Sequence, residues 1–301
     1  MFCIETKNLT HRFSNSEAVL SNINLQVPEN SIYGFLGPNG AGKTTTLRLI
    51  LGLLRKQTGD ILVFGKPFHE NRIEILRRVG SLIETPSLYG HLDAIENLMI
   101  FQKIYQCPIS RMKEVLSLVG LENTGKKKVS QFSLGMKQRL SIALSLLHEP
   151  SILILDEPTN GLDPNGIIEI RELLKKLNRE KEVTILVSSH LLSEIEKLVT
   201  HVGIINKGSV IFQGTLDELL NKQKQSSHLV FDINEAERAF QIFKRNNVVS
   251  EIKNGKIIIP IIEKEKIAIL TEELVKNSIK VYEISSVKDD LESVFIDITN
   301  S

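Results

Sequence analysis

The sequence predicts an α/β fold in residues 1–220 and a small α+β domain in residues 221–301. Two observations predict the α/β fold of residues 1–220. From Ser31 onward, apolar runs of strand length alternate with segments of helical periodicity, and a glycine-rich loop joins the first of these strands to the first helix. A third observation separates the second part, because residues 221–227 read NKQKQSS, a polar stretch without apolar periodicity that predicts a linker.

An antiparallel strand pattern precedes the alternating core. Apolar residues fall on alternate positions at Phe2 and Ile4 and again at Ile23, Leu25 and Val27, with the polar segment SNSEA between the two groups. The predicted core elements are, in order, strand 31–36, helix 44–54, strand 59–65, helix 71–80, strand 81–84, helices 91–105, 110–118 and 134–147, strand 151–157, helix 166–178, strand 182–189, helix 191–198 and the strand pair 201–206 and 208–214.

The second part has its own strand and helix pattern. Its predicted elements are strand 229–233, helix 235–245, a hairpin of strands 248–252 and 256–261 across Asn254 and Gly255, helix 264–276, strand 280–284 and a last helix from Lys288. This order is typical of a small α+β sandwich.

Composition and charge limit the possible classes of function. The 301 residues include 37 Lys and Arg against 36 Asp and Glu, a net charge of +1, so we expect no nucleic-acid partner. Cys3 and Cys107 are far apart, which indicates neither a disulfide framework nor a zinc site. Charged residues within MFCIETKNLTHRF speak against a signal peptide, and the apolar runs fall short of the roughly 20 residues that span a bilayer.

A glycine-rich loop, GPNGAGKT, occupies Gly37–Thr44 directly after the apolar run SIYGFL. It fits the pattern G-x-x-x-x-G-K-[ST] between a strand and a helix, which is the context that a phosphate-binding loop requires. Glycines let backbone N–H groups approach phosphate oxygens, and the helix adds the positive end of its dipole. Lys43 is expected to reach the phosphates of ATP and Thr44 to hold Mg²⁺. The candidate nucleotide-binding residues are Gly37, Pro38, Asn39, Gly40, Ala41, Gly42, Lys43, Thr44 and Thr45.

Two adjacent carboxylates follow a second apolar run, SILILDE. Four consecutive apolar residues predict a buried parallel strand, and Asp156 at its carboxyl end can orient Mg²⁺. Glu157 can polarise an attacking water. The two residues could simply end a strand, but neighbouring carboxylates at the mouth of a buried strand need a cationic partner, and Mg-ATP supplies one.

The order of the motifs resembles the nucleotide-binding subunit of an ATP-binding cassette (ABC) transporter over residues 1 to about 220. After the two motifs above, FSLGMKQR at Phe132–Arg139 looks like the signature of that family, GLD at Gly161–Asp163 like its dimer loop, and SSH at Ser188–His190 like its switch histidine. One match would be weak evidence, whereas five in this order are very specific.

The resemblance implies further roles. Ser133 and Gly135 would grip the γ-phosphate of ATP bound to a second cassette, so function implies two cassettes head to tail. Ser133 also reads as an ordinary helix N-cap, and Asp163 before a proline does too. His190 would hold the attacking water in line with Glu157, and Phe13 occupies the position of an aromatic that stacks on adenine or, equally, that of a core residue.

Three departures from the family pattern are informative. Glu84 replaces the usual glutamine after the strand that precedes the helical subdomain; a carboxylate can bind Mg²⁺ but cannot donate as an amide does. The signature carries Leu134 where glycine is common, so we expect helical backbone there. These features, with the C-terminal extension, resemble the bacterial branch that expels bacitracin and lantibiotic peptides.

The resemblance therefore implies an ATP-hydrolysing subunit, peripheral at the cytoplasmic face of the membrane, that works with an integral-membrane permease. A stripe of apolar residues within residues 84–105 is expected to receive the permease, or else to form core; its members are Leu88, Tyr89, Leu92, Ile95, Leu98 and Phe101. One rival is a soluble ABC ATPase serving ribosomes or DNA, although this chain has one cassette and no sustained heptads. Two more functions are compatible with the motifs: export of another drug or lipid, and regulation by an ATP-binding module that seldom hydrolyses its nucleotide.

Overall fold

The chain divides into two compact units, Met1–Leu216 and Asp217–Ser301. A computed structural model describes residues 1–13, 18–83, 88–226 and 228–287, without the side chains of 222–226 and 287. Two sequence-based expectations, the role of Glu84 and the helix from Lys288, lie outside the described residues.

Two sheets and seven helices form the described part of the first unit. The strands are β1 (Phe2–Arg12), β2 (Ala18–Ile23), β3 (Gln26–Pro28), β4 (Ile32–Leu36), β5 (Thr58–Val63), β6 (Lys66–Pro67), β7 (Val79–Leu82), β8 (Ile152–Asp156), β9 (Thr184–Ser189), β10 (His201–Asn206) and β11 (Ser209–Thr215). The helices are α1 (Lys43–Ile50), α2 (Phe68–Leu76), α3 (Ala94–Tyr105), α4 (Ile109–Leu118), α5 (Leu134–Leu146), α6 (Pro164–Lys181) and α7 (Leu192–Ile195), with a 3-10 turn at Val129–Gln131.

One sheet of the first unit is antiparallel. Its strand order is β2-β1-β5-β6, and β3 also pairs with β1. The antiparallel piece expected for residues 1–30 is therefore present, and β5 and β6 extend it.

The second sheet of this unit is mostly parallel, with the order β11-β10-β4-β9-β8-β7. Every residue of β4, β8 and β9 is buried, as expected for central strands covered on both faces. Because β4, β8 and β9 are parallel neighbours, their carboxyl ends meet at one edge of the sheet. The loops that carry the predicted phosphate-binding residues and carboxylates leave from this edge.

Helices α3 and α5 begin at polar caps that the sequence encodes. Asp93 accepts from the backbone N–H of Glu96, whose side chain accepts from the N–H of Asp93, which forms a capping box. Ser133 caps α5, and Leu134 is the first residue of that helix, as expected for its backbone. These caps fix where each helix starts, and therefore which residues its first turn presents.

The second unit begins in a helix, which corrects the linker predicted at residues 221–227 for residues 221–226; residue 227 lies outside the described residues. Helix α8 runs from Leu216 to Ser226. Leu216, Leu219 and Leu220 have helical spacing, Leu219 is fully buried, and acidic Asp217 and Glu218 suit the first turn. The following lysines and glutamines are good helix formers, so the helix continues through a segment without apolar periodicity.

The rest of the second unit, as far as the structure describes it, is a βαββαβ arrangement. Its elements are β12 (His228–Ile233), α9 (Ala236–Arg245), β13 (Glu251–Lys253), β14 (Lys256–Pro260), α10 (Lys264–Lys276) and β15 (Val281–Val287). The four strands form an antiparallel sheet in the order β13-β14-β12-β15. Phe231 and Phe243 meet edge to face in its core with ring centroids 5.1 Å apart. The α+β pattern read from the sequence matches these elements closely.

Candidate active site

The loop between β4 and α1 has a backbone that requires glycine. Gly40 and Gly42 have φ angles of 81° and 109°, values that L side chains rarely adopt. A Cβ on Gly37 would lie 2.4 Å from the carbonyl oxygen of Ile205. At Gly40 a Cβ would meet no heavy atom within 4 Å, so the loop faces open space there. Close packing below the loop and open space above it suit a phosphate cradle.

Lys43, the first residue of α1, extends back over this loop and is 6% exposed. Its Nζ donates to the carbonyl of Gly37 at 2.7 Å and to that of Pro38 at 3.4 Å. The same atom lies 3.3 Å from Oε1 of Glu157. The buried ammonium thus joins the phosphate-binding loop to the loop that follows β8.

Asp156 ends β8 and is held from two sides. Thr44 Oγ1 donates to its Oδ2 at 2.7 Å, and Ser188 Oγ donates to its Oδ1 at 2.5 Å. Ser188 stands opposite Asp156 in the register of β8 and β9, and its oxygen also accepts from the N–H of Glu157 at 2.9 Å. One serine therefore orients both neighbouring acidic residues.

Glu157 contacts a cation and an imidazole with its two oxygens. Oε1 faces Lys43, and Oε2 lies 2.8 Å from Nδ1 of His190, which follows β9. Glu157 has a φ of 48°, which is uncommon for a residue with a side chain and carries strain. Such outliers cluster at functional sites, and here the turn directs the carboxylate toward the loop edge of the sheet.

A cleft of about 430 Å³ brings eight of the predicted site residues together. The described residues that line it are Val19, Asn39, Gly40, Gly42, Lys43, Thr44, Thr45, Glu157, Asn160 and His190. Gly37 and Pro38 lie at the base of the loop, where their carbonyls accept from Lys43, and Ala41 is 3% exposed. Asp156 stands behind Thr44.

Ser133 and Gly135 line a different cleft, of about 470 Å³. Ser133 Oγ accepts from the N–H of Met136 at 3.2 Å, so the predicted N-cap is present. Asp163 also caps its helix, accepting from the N–H of Gly166 at 3.0 Å. Gly161 and Leu162 belong to the same cleft. Within one chain the structure does not place the signature residues beside the phosphate-binding loop.

Two predicted residues stand apart from the cleft. Phe13 follows β1, is 45% exposed, and meets the ring of His11 edge to face with centroids 4.8 Å apart. It is not among the described residues of the cleft lining. Glu84 lies outside the described residues, so its predicted metal contact stays a prediction.

The side chains of the cleft fit ATP and Mg²⁺. A buried ammonium and a glycine cradle at a helix N-terminus suit phosphate groups. A threonine hydroxyl beside one carboxylate is a donor set that Mg²⁺ takes when phosphate oxygens and water complete its shell.

Three residues of the site are not predicted from the sequence as contacts. Ser188 belongs to the SSH motif, but its pairing opposite Asp156 gives it two further contacts. Val19 and Asn160 line the cleft without belonging to a predicted contact set. The one signal for Ser188 is the parallel arrangement of β8 and β9, which predicts that residues at equivalent strand ends meet.

Comparison with known proteins assigns the family. The profile of the family described as ABC transporter matches residues 20–160. The bacitracin transport ATP-binding protein BcrA of Bacillus licheniformis is 44% identical over 296 residues, which cover 97% of this chain and 96% of BcrA. This chain belongs to the ABC transporter ATP-binding proteins. As an ABC ATPase it binds ATP, and the predicted fold and family are confirmed.

Two further similarities support this ABC protein's assignment. The lantibiotic transport ATP-binding protein SrtF of Streptococcus pyogenes is 41% identical over 226 residues, covering 73% of this chain and 96% of SrtF. A solved dimeric ATP-binding cassette in a post-hydrolysis state, bound to ADP and Pi, matches with a TM-score of 0.63 at 27% identity, covering 71% of this chain and 98% of that one. Among its described residues, this ABC protein has no helix long and apolar enough to cross a membrane.

Proposed function

We propose that this protein hydrolyses ATP to drive export of a peptide antibiotic, of the bacitracin or lantibiotic type, through a separate membrane permease. The observation that supports this most strongly is the similarity to BcrA, a bacitracin transport ATP-binding protein, over nearly the full length of both chains. The similarity to the lantibiotic transport protein SrtF supports the same class of cargo.

Each charged residue of the cleft has a distinct role in hydrolysis. Lys43 binds the phosphate groups and offsets their charge, which strengthens as the phosphoryl group transfers. Glu157 accepts a proton from the attacking water, and His190, hydrogen-bonded to Glu157, orients that water. Mg²⁺, held through Thr44 and Asp156, would supply positive charge on the phosphate oxygens. Gly37–Gly42 and Thr45 complete the phosphate contacts.

Two cassettes are needed for a complete site. Ser133 and Gly135 open α5 with a hydroxyl and free N–H groups, which suit a γ-phosphate, but they line a separate cleft from Lys43. A second copy, or a paired cassette, placed head to tail brings its signature residues to the phosphate-binding loop. Phe13 stacks on the adenine of the bound nucleotide.

The helical segment around α3 and the start of α4 contacts the permease, at the cytoplasmic face of the membrane. Its exposed apolar side chains are Tyr89, Met99, Ile104, Tyr105 and Ile109, whereas Leu98 is fully buried. Of the stripe expected within residues 84–105, Leu98 is thus core, whereas Tyr89 is exposed and available to a membrane partner. Residues 221–301 serve as an accessory domain.

Co-purification of the native complex tests this function. A tagged chain is recovered from gently solubilised membranes, and its stoichiometric companions are identified by mass spectrometry. A polytopic membrane protein, with ATPase activity that bacitracin or a lantibiotic stimulates, supports the proposal. Recovery with ribosomes or DNA would instead indicate an ABC ATPase without a permease. A permease whose complex responds to neither peptide would contradict the proposed cargo.

A further inference from the structure

A second side-chain hydrogen bond joins the two loops that carry Glu157 and His190. Thr159 Oγ1 donates to Glu194 Oε2 at 2.7 Å, and both side chains are half-buried. Thr159 belongs to the loop after β8, and Glu194 to α7, the short helix after β9. The bond therefore connects the segments after β8 and β9 a second time, at positions that follow Glu157 and His190 in the chain.

Glu194 is on a segment that packs into the core. Its neighbours Leu192 and Ile195 are both 3% exposed. Ile195 packs so closely on β4 that a Cβ on Gly34 would lie 2.7 Å from its Cγ2. Helix α7 is therefore fixed against the central sheet, and the backbone that carries the Glu194 carboxylate is held in place.

Thr159 belongs to two successive turns. In the first, the N–H of Asn160 donates to the carbonyl of Glu157 at 3.1 Å, which closes the turn that holds the carboxylate. In the second, the N–H of Leu162 donates to the carbonyl of Thr159 at 3.2 Å. Leu162 and the neighbouring Gly161 line the cleft of Ser133 and Gly135. A displacement of Thr159 would thus move parts of both clefts.

We propose that Thr159 and Glu194 are a positioning pair that fixes the loop of Glu157 and Gly161 relative to His190. Their hydrogen bond has an ionised acceptor, which makes it stronger than a bond between neutral groups. Neither residue lines the cleft of Lys43, so both act through Glu157 and His190. This inference rests on the proposed hydrolysis, because positioning is measured as turnover.

Paired substitutions separate positioning from general stability. Thr159→Val removes the donor with little change of shape, whereas Thr159→Ser keeps it; Glu194→Ala removes the acceptor, whereas Glu194→Gln keeps an acceptor oxygen. Glu196→Ala, on the same segment, is the matched control. All variants are assayed in the permease complex for kcat, KM and ATP affinity.

The expected result is a loss of kcat by about tenfold in Thr159→Val and Glu194→Ala, with ATP affinity and KM nearly unchanged. Thr159→Ser, Glu194→Gln and Glu196→Ala should retain most of the activity. The double variant Thr159→Val with Glu194→Ala should lose no more than either single variant, because both remove one bond.

Hydrogen exchange gives a readout that does not need turnover. Backbone N–H groups of residues 157–163 should exchange faster in Thr159→Val than in Thr159→Ser. Equal exchange and equal kcat in these two variants would overturn the proposal that Thr159 and Glu194 position this loop. A parallel fall of ATP affinity and thermal stability would also overturn it, since that result indicates a structural role alone. A wild-type complex without ATPase activity would contradict the proposed function, while the exchange measurement would still decide the pair.

Discussion

Nδ1 of His190 lies 2.8 Å from Oε2 of Glu157, although the two residues are 33 positions apart in the chain. The contact exists because β8 and β9 are parallel neighbours, with Asp156 at the end of β8 opposite Ser188, one residue before the end of β9. Glu157 and His190 directly follow the two strands. Lys43 contacts the other oxygen of the same carboxylate at 3.3 Å. The carboxylate, the imidazole and the ammonium, which are the proposed base, its orienting group and the proposed phosphate-binding group, thus form one connected group.

Replacing His190 by alanine should abolish turnover while ATP still binds. In the proposed mechanism the imidazole positions the water beside Glu157, and groups of this kind contribute about 10²- to 10⁴-fold to rate. Phosphate release measures turnover, and calorimetry measures ATP affinity. His201→Ala, in β10 away from the cleft, is the control and should keep its rate. An active His190→Ala variant would remove His190 from the mechanism.

Lys43→Ala should weaken ATP binding itself. The variant loses the buried ammonium that faces the phosphate cradle, and a hydrogen bond to a charged group is worth about 1.5–3 kcal/mol, which corresponds to a tenfold or larger loss of affinity. Lys175→Ala, on the exposed face of α6, changes charge equally and should bind normally. If calorimetry gives equal affinities for the two variants, Lys43 does not bind the phosphates.

Local sequence patterns predicted the phosphate-binding loop and the buried strands. Gly40 and Gly42 are required by backbone geometry, and the apolar run that becomes β8 is buried on both faces, so composition alone is informative there. The hairpin across Asn254 and Gly255 is a similarly local signal, and the structure has β13 and β14 at that place.

The rest of the site depends on contacts between distant residues. Ser188 contacts Asp156 across 32 positions because of strand register, and Thr159 contacts Glu194 across 35. No motif spacing predicts such pairs. Helix α8 was missed for a different reason, since helix propensity extends it into a polar segment that lacks an apolar stripe. Ser133 lies in a separate cleft, so its predicted phosphate contact needs a second chain.

Phe243→Ala should destabilise the second unit. Both Phe243 and its edge-to-face partner Phe231 are fully buried, and phenylalanine-to-alanine changes in cores cost about 3–5 kcal/mol. Urea unfolding of the full chain, followed by a probe placed in residues 228–287, measures this free energy. Ile269→Ala, at a position on α10 that is 58% exposed, should change it by less than about 0.5 kcal/mol. Equal effects would contradict the described core.

Stability should fall in mildly acidic solution, in part through His148. Burial lowers the pKa of His148 below its usual 6.5, and nearby Arg111 adds to this, while the hydrogen bond with the carbonyl of Val79 opposes it. The folded chain therefore keeps His148 neutral at a pH where the unfolded chain protonates it. The stabilisation is complete above about pH 6.5 and is lost as the pH falls toward the lowered folded-state pKa.

Thermal midpoints at pH 7.5 and pH 5.5 measure the contribution of His148. His148→Gln keeps an N–H donor for Val79 but does not titrate, so its midpoint should shift less between the two pH values than that of the wild type. His69→Gln, on an exposed helix position, should behave as wild type. A wild-type shift equal to that of His148→Gln would assign the acid sensitivity to other groups.

In the proposed mechanism each ATP site combines the loop of Lys43 and Glu157 from one copy with Ser133 and Gly135 from another. Mixing two inactive variants in the reconstituted complex tests this shared site. Glu157→Gln and Ser133→Arg should each abolish ATPase activity when present in both copies. A mixed pair retains one intact site, built from Glu157 of the second variant and Ser133 of the first, so mixing should restore a substantial fraction of wild-type activity. No recovery from a mixture shown to contain mixed pairs would mean that each site is complete within one chain, and would contradict this account.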